Sequence, residues 1–281
     1  MTHVSGQSPS GQIIAAITRI LRQRSVATLT TLVASSTNVV ASSTNVGAKL
    51  LIEESGASAG SLSDAALDEA VASHAATFLD SRAEARTFNV EEFAPQLQAW
   101  RGARVLFERV EPEPRLVICG AGHVGASLAR LACAVGYRTT LIDDRRDFVT
   151  RERFPDERIE LVAAETWTDA VTRAIGRGRS VAVAVVTRGH NEDEECMLAV
   201  VGARPDYVGL IGSKRRTNIV LARLSAAGAD VETLRAVRAP IGLDIGAVSP
   251  EEVALAILAE VVAARRGGTG APLSAWRRTA E

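Results

Sequence analysis

From residue 115 onward the chain alternates short apolar runs with stretches whose apolar residues recur at helical spacing. The runs Arg115–Cys119, Thr139–Asp143, Ile159–Val162, Val181–Val186 and Tyr207–Ile211 are largely apolar at consecutive positions, as strands buried on both faces of a parallel sheet are. Between them Val124, Leu128, Leu131, Ala132 and Val135 fall on one helical stripe, and Cys196, Leu198 and Val200 lie in another helical segment. This alternation predicts an α/β domain whose parallel strands are joined by helical crossovers. A last helix opens at Ser249-Pro250-Glu251-Glu252, a capping box with Pro in the first turn, and runs to about Arg265. Val253, Leu255, Ile257, Leu258, Val261 and Val262 make it apolar on more than one face. It is therefore expected to pack inside the domain or against the second chain of a homodimer.

Upstream the pattern is mixed. Ile13, Ile17, Ile20 and Leu21 recur at helical spacing, Val26 to Val33 is rich in Thr, Val and Leu as strands are, and Lys49 to Glu53 reads as a second strand. Asp64 to Leu79 reads as a helix with Leu67, Val71 and Phe78 inward, and Ala103 to Val110 as a closing strand. Glu111-Pro112-Glu113-Pro114 then breaks the pattern, because two prolines remove backbone donors and bias the preceding residues toward extended conformations. The expected organisation is a smaller α+β domain over residues 1–110, an α/β domain over 115–267, and a flexible tail over 268–281. Val33-Ala34-Ser35-Ser36-Thr37-Asn38-Val39 is repeated at once as Val40-Ala41-Ser42-Ser43-Thr44-Asn45-Val46. Two copies of seven residues are too few and too short for a solenoid, so a polar surface loop or a lengthened substrate loop is expected there.

Composition narrows the class. A length of 281 residues suits about two domains, and 47% hydrophobic with 23% charged residues excludes a disordered chain. Thirty-two Lys plus Arg against 33 Asp plus Glu give a net charge of -1, which offers no field for a phosphate backbone, so nucleic acid is not an expected partner. Cys119, Cys133 and Cys196 are too scattered for a disulfide framework. With no basic segment leading into an apolar stretch after Met1, and no run of 18 apolar residues, a cytoplasmic protein without a membrane partner is expected.

The chemistry collects where the strands end. Gly120-Ala121-Gly122-His123-Val124-Gly125 follows a strand and opens a helix, the context a GxGxxG fingerprint requires. Gly120 permits the turn, Gly122 lets a pyrophosphate approach the backbone, and Gly125 lets helix and strand pack closely. Asp143 ends the next strand, where a carboxylate can accept from a ribose diol, while Arg145 and Arg146 either reach a 2′-phosphate or sit solvated beside Asp144 and Asp147. Thr187-Arg188-Gly189-His190 brings a guanidinium and an imidazole to the sheet edge, or simply begins a helix whose acids complement its dipole. Ser213 and Lys214, after Gly212, put a hydroxyl and cations at a helix start, where an anion would offset the unfavourable dipole; the bland alternative is pairing with Glu192 to Glu195. Asp244, enclosed by Ile and Leu, is expected to hydrogen-bond nearby loop N–H groups. His3 and His74 are expected to be solvated. No HExxH, Ser/His/Asp order or Cys/His spacing supports hydrolysis or a zinc site, and no metal ligands are assigned.

At these motifs the sequence resembles the XdhC/CoxI family of xanthine dehydrogenase accessory proteins. The resemblance rests on Gly120 to Gly125, Asp143-Asp144-Arg145 with Arg153-Phe154-Pro155, Thr187 to His190, Gly209 to Arg215, and Ala239 to Ala247 followed by Pro250-Glu251-Glu252. Glu192 stands where the family tends to carry a second histidine. The resemblance implies a Rossmann-like carboxyl domain in a non-catalytic or weakly catalytic factor. Such a factor binds molybdopterin, the molybdenum cofactor, as cargo and delivers the sulfurated form to a xanthine dehydrogenase-type molybdenum hydroxylase. A cofactor-sulfurating enzyme is a further implied partner. Gly120, Gly122, His123, Gly125, Asp143, Arg188, His190, Gly212, Ser213, Lys214 and Asp244 are the candidate cofactor-binding residues. The fingerprint alone also fits an NAD(P)-dependent oxidoreductase, with Asp143 on the ribose and His190 as proton donor or acceptor, or a nucleotide-sensing regulatory module.

Overall fold

The computed structural model describes residues 9–35, 46–81, 83–176 and 180–274, and it divides into two compact units, Met1–Pro112 and Glu113–Glu281. Most of the duplicated heptapeptide, His3 and the end of the expected tail lie outside the described residues. No helix among the described residues is long and apolar enough to cross a membrane.

The first unit comprises α1 (Pro9–Gln23), β1 (Ala27–Ala34), β2 (Lys49–Glu53), β3 (Ser58–Ser61), α2 (Ala65–Asp80), β4 (Ala85–Asn89), α3 (Val90–Phe93) and β5 (Arg104–Val110). Its antiparallel strands lie in the order β3-β2-β1-β5-β4, with Leu29 opposite Leu51 and Thr30 opposite Phe107. Period-two alternation along β1 sends Ala27 to a cluster with Ala16, Ile20 and Leu51 on the α1 side. Leu32 goes instead to a larger cluster with Leu50, Phe107 and the Leu67, Val71 and Phe78 face of α2. Each such fully buried Leu or Phe contributes about 2 kcal/mol of hydrophobic stabilisation. Asp64 caps α2 by accepting from the Leu67 N–H. His74 departs from the solvated expectation. Its ring lies 4.8, 5.1 and 5.4 Å from those of Phe88, Phe93 and Phe107, and burial lowers its pKa.

The second unit comprises β6 (Arg115–Cys119), α4 (His123–Ala134), β7 (Arg138–Asp143), β8 (Ile159–Ala163), α5 (Trp167–Ile175), β9 (Val181–Val185), α6 (His190–Ala203), β10 (Tyr207–Leu210), α7 (Lys214–Ala226), α8 (Val231–Arg235) and α9 (Pro250–Arg266). All five strands are parallel, in the order β10-β9-β6-β7-β8. The chain steps outward from β6 to β8, returns, and continues from β9 on the other side. The order thus reverses between β6 and β9, the place where open parallel sheets of this Rossmann-like kind bind ligands. Leu116, Ile118 and Leu141 pack on Leu128 and Ala132 of α4 and Ile257, Leu258 and Val261 of α9. Val117, Cys119, Val183 and Val185 meet Val171 of α5, Cys196 and Val200 of α6 and Val220 of α7 on the other face. Leu198 is exposed, because the buried face of α6 is Cys196, Met197, Ala199 and Val200. Ser249 and Glu252 form the capping box of α9, each side chain accepting from the other's backbone N–H. Helices α4 and α9 run in the same direction, since Ser127 lies 3.4 Å from Glu251 near their starts and Arg265 lies over Tyr137 near their ends.

Candidate functional site

The three glycines after β6 serve different physical ends. At Gly120, φ is +113°, and a Cβ would stand 2.6 Å from the Val186 carbonyl oxygen, so the turn presses against the segment leaving β9. At Gly125 a Cβ would meet the Gly120 carbonyl at 1.8 Å, so only glycine lets α4 start on top of the strand end. Gly122 is unlike both: its φ is -66°, and a Cβ would meet nothing within 4 Å. The space above it is open. Gly122 is also the N-cap of α4, with no side-chain cap and no acid in the first turn, so the free N–H groups and positive helix end face that space. A helix start of this kind favours negative charge.

Asp143 does not face that space. It is 1% exposed; its Oδ2 accepts the Ala121 N–H at 2.7 Å and Arg145 Nη2 at 2.9 Å, and its Oδ1 accepts the Arg145 N–H at 3.0 Å and Nε at 2.8 Å. A carboxylate offers about four lone-pair positions, and protein fills them. Asp143 therefore sets the glycine loop and has no acceptor left for a ribose diol. Arg145 is partly exposed and its guanidinium is engaged by the protein: it lies on Asp143 and stacks 3.5 Å from the Phe148 ring centroid. The neighbouring Asp144 is outward-facing. It accepts a two-pronged fork from Arg188 at 2.7 and 2.8 Å, which holds its carboxyl well down, to about 2. The same fork raises the Arg188 pKa.

Beyond β9, His190 is the exposed first residue of α6. Asp193 is fully buried and accepts from the Thr187 hydroxyl and from Nε of Arg216 at 3.0 Å, with Nη2 of Arg216 on the same oxygen. Burial pushes its pKa up, against the opposing pull of the Thr187 and Arg216 bonds. This pair ties α6 to α7 beneath the site. Beyond β10, Gly212 has φ +143° and Ser213 caps α7 by accepting the Arg216 N–H at 3.3 Å. Lys214 and Arg215 are exposed at the helix start, while Arg216 turns inward to Asp193. Of the three consecutive cations, one thus pairs with the acidic stretch of α6.

Gly120, Gly122, His123 and Gly125, then Arg188 and His190, then Gly212, Ser213 and Lys214 all follow carboxyl ends of neighbouring strands, so the sheet brings them to one edge. Asp244 corrects the expectation of a carboxylate enclosed by loop donors: it is exposed. Glu260 of α9 does that work, its Oε2 accepting the Gly242 N–H at 2.8 Å and the Tyr207 hydroxyl at 2.6 Å. The roles of Asp144, Asp193 and Glu260 are not apparent in the sequence pattern. The spacing from Thr187 to Asp193, one turn into α6, and the place of Asp144 in the Asp143-Asp144-Arg145 motif are the signals that mark two of them. Among the described residues no group of three or more His, Cys, Asp or Glu is placed to hold a metal ion.

Comparison with known proteins gives two family matches. Residues 116–261 match the XdhC Rossmann domain, and residues 20–90 match the XdhC and CoxI family. The uncharacterized protein YqeB of Escherichia coli strain K12 is 31% identical over 157 residues, 56% of this chain and 28% of that protein. A probable xanthine dehydrogenase component of Bacillus subtilis strain 168 is 28% identical over 162 residues, 58% of this chain and 46% of its own length. The molybdenum cofactor insertion chaperone PaoD of Escherichia coli strain K12 is 29% identical over 154 residues, 55% of this chain and 41% of its own length. The matched region spans less than half the length of each of these relatives. With its parallel-sheet unit matched along most of its length and its first unit matched in part, the chain belongs to the XdhC and CoxI family.

Proposed function

We propose that this chain binds molybdopterin as cargo at the carboxyl edge of its parallel sheet and assists insertion of the sulfurated cofactor into a xanthine dehydrogenase-type molybdenum hydroxylase. The observation that carries this reading is the contrast between Gly122 and Asp143. Gly122 leaves an anion cradle open at an uncapped helix start, while the carboxylate that would read a ribose diol is consumed by Ala121 and Arg145. Such an edge suits a ligand with a phosphate and no ribose, and molybdopterin without an appended nucleotide is one. The names of PaoD and of the Bacillus relative point to the same cargo and client.

In this reading the free N–H groups at the start of α4 take the phosphate, with Lys214 and Arg188 supplying positive charge. His190 offers a hydrogen-bonding edge to the pterin. The chain itself makes and breaks no bond: a cofactor-sulfurating enzyme acts before it and the hydroxylase accepts from it. A nicotinamide-dependent oxidoreductase would share the glycine loop but lacks a diol acceptor at Asp143.

The test is to purify the full chain from a molybdenum-replete host, release its small molecules and assay them for oxidised molybdopterin and nicotinamide dinucleotides. Oxidised molybdopterin is expected. Recovery of dinucleotide alone would overturn the reading.

A further inference from the structure

Three Asp–Arg pairs stand at the carboxyl edge of the parallel sheet, and they differ in one respect. In Asp143–Arg145 and Asp193–Arg216 the acid side chain is 1% and 0% exposed, so neither can open without stranding a buried charge. In Asp144–Arg188 the side chains are 32% and 46% exposed, so both ends can return to water.

The exposed pair also has a particular position. Strand β6 lies between β7 and β9, Asp144 is the first residue past β7, and Arg188 follows β9. The glycine loop after β6 touches both flanks: the Ala121 N–H bonds to Asp143, and Gly120 abuts Val186 and Thr187. The fork therefore bridges the two loops that flank the open cradle at Gly122. Glu192, one helical turn on, lies 3.2 Å from the same guanidinium.

We infer that Asp144 is an internal competitor for the ligand's phosphate, holding Arg188 until a phosphate or pyrophosphate group on the glycine loop displaces it. This rests on the reading of that loop as an anion site. A guanidinium offers the same planar pair of donors to a carboxylate and to a phosphate, so the exchange keeps two parallel hydrogen bonds on Arg188 and returns the Asp144 carboxylate to water. The swap lets a carrier hold its cargo firmly enough to move it and loosely enough to release it. Asp144 thus sets affinity without contacting the cargo.

The test uses inorganic pyrophosphate as the probe, titrated calorimetrically into the full chain at low ionic strength. Asp144→Asn should bind about threefold to fivefold tighter than the unmodified chain, the scale of an exposed ion pair, and Arg188→Gln should bind more weakly. Asp144→Asn with Arg188→Gln should match Arg188→Gln alone, because Asp144 acts only through that guanidinium. Asp144→Ser, which also lacks the charge, should repeat the gain. Unchanged or weaker binding by both Asp144 variants, while Gly122→Asp still abolishes it, would overturn the competitor role and leave the anion site standing. No binding by any form would overturn both.

Discussion

Gly122→Asp separates ligand binding from folding, because in this structure the two respond in opposite directions. The backbone at Gly122 has φ -66° and ψ -170°, which any residue adopts, and a Cβ there meets nothing within 4 Å. An aspartate is therefore sterically free, and as N-cap of α4 its carboxylate can accept an N–H that glycine leaves open. The cap is worth a few tenths of a kcal/mol over glycine. The helix dipole adds about 0.3–1 kcal/mol. Restriction of the unfolded chain adds about 0.4–1 kcal/mol. Taken at the low end of these ranges, a net stabilisation of about 1 kcal/mol is expected, or roughly 2–4 °C in Tm for a domain of this size. The same carboxylate occupies the cradle with the wrong charge, so pyrophosphate affinity should fall at least about tenfold, about 1.4 kcal/mol. Thermal unfolding and calorimetric titration of the same preparation read both effects. A destabilised variant, or one that binds pyrophosphate as before, would refute the assignment of Gly122 as an open anion cradle.

Three further outcomes concern the parallel-sheet unit. Gly125→Ala puts a Cβ 1.8 Å from the Gly120 carbonyl, so the chemical-denaturation midpoint should drop by the equivalent of about 3 kcal/mol; a loss under about 1 kcal/mol would contradict the close packing of α4 on β6. Asp144 should titrate near 2 by carboxyl NMR and rise toward 3.8 in Arg188→Gln. Because its folded pKa is depressed, the stability it contributes is present above about pH 4 and lost as pH falls toward 2, and solvent screening of the half-exposed Arg188 limits it to about 1 kcal/mol. A midpoint near 4 in the unmodified chain would refute the fork. Glu260→Ala strands the Gly242 N–H and the Tyr207 hydroxyl, at about 1–3 kcal/mol, and should speed hydrogen exchange at Gly242, whereas Glu260→Gln keeps an acceptor and should change exchange little; equal effects would refute the acceptor role.

The parallel sheet was legible because its strands are buried on both faces. Every residue of β9 is buried, and a run such as Val181 to Val185 has no polar alternative. Strand β6 and strand β2 carry the boundaries read from the sequence, Arg115 to Cys119 and Lys49 to Glu53. By contrast β3, which reads Ser58-Ala59-Gly60-Ser61, and β4, exposed at every residue but Phe88, are edge strands that apolar pattern does not mark. Their partners across the ladder define them.

At the site, spacing identified which loops meet but not where each carboxylate points. Asp143 stands at the position of a ribose acceptor, yet Arg145 two residues later folds back and takes its oxygens. Asp144, one residue on, faces outward instead. Asp244 lies among apolar neighbours in sequence and in the open in space, because Glu260, 16 residues later on α9, reaches the loop first. His74 sits on a helix, where solvent exposure is the default expectation, but three phenylalanines from separate elements close around the ring. Each of these outcomes depends on a partner distant in sequence or on a rotamer, which local pattern does not encode.

The most direct test of cargo binding at the sheet edge is equilibrium titration of molybdopterin into the full chain, with pyrophosphate and NAD as competitors and Gly122→Asp as the blocked form. The open cradle at Gly122 predicts saturable binding that pyrophosphate displaces, that NAD displaces far less effectively, and that Gly122→Asp loses. Binding undiminished in Gly122→Asp, or NAD bound more tightly than molybdopterin, would contradict it.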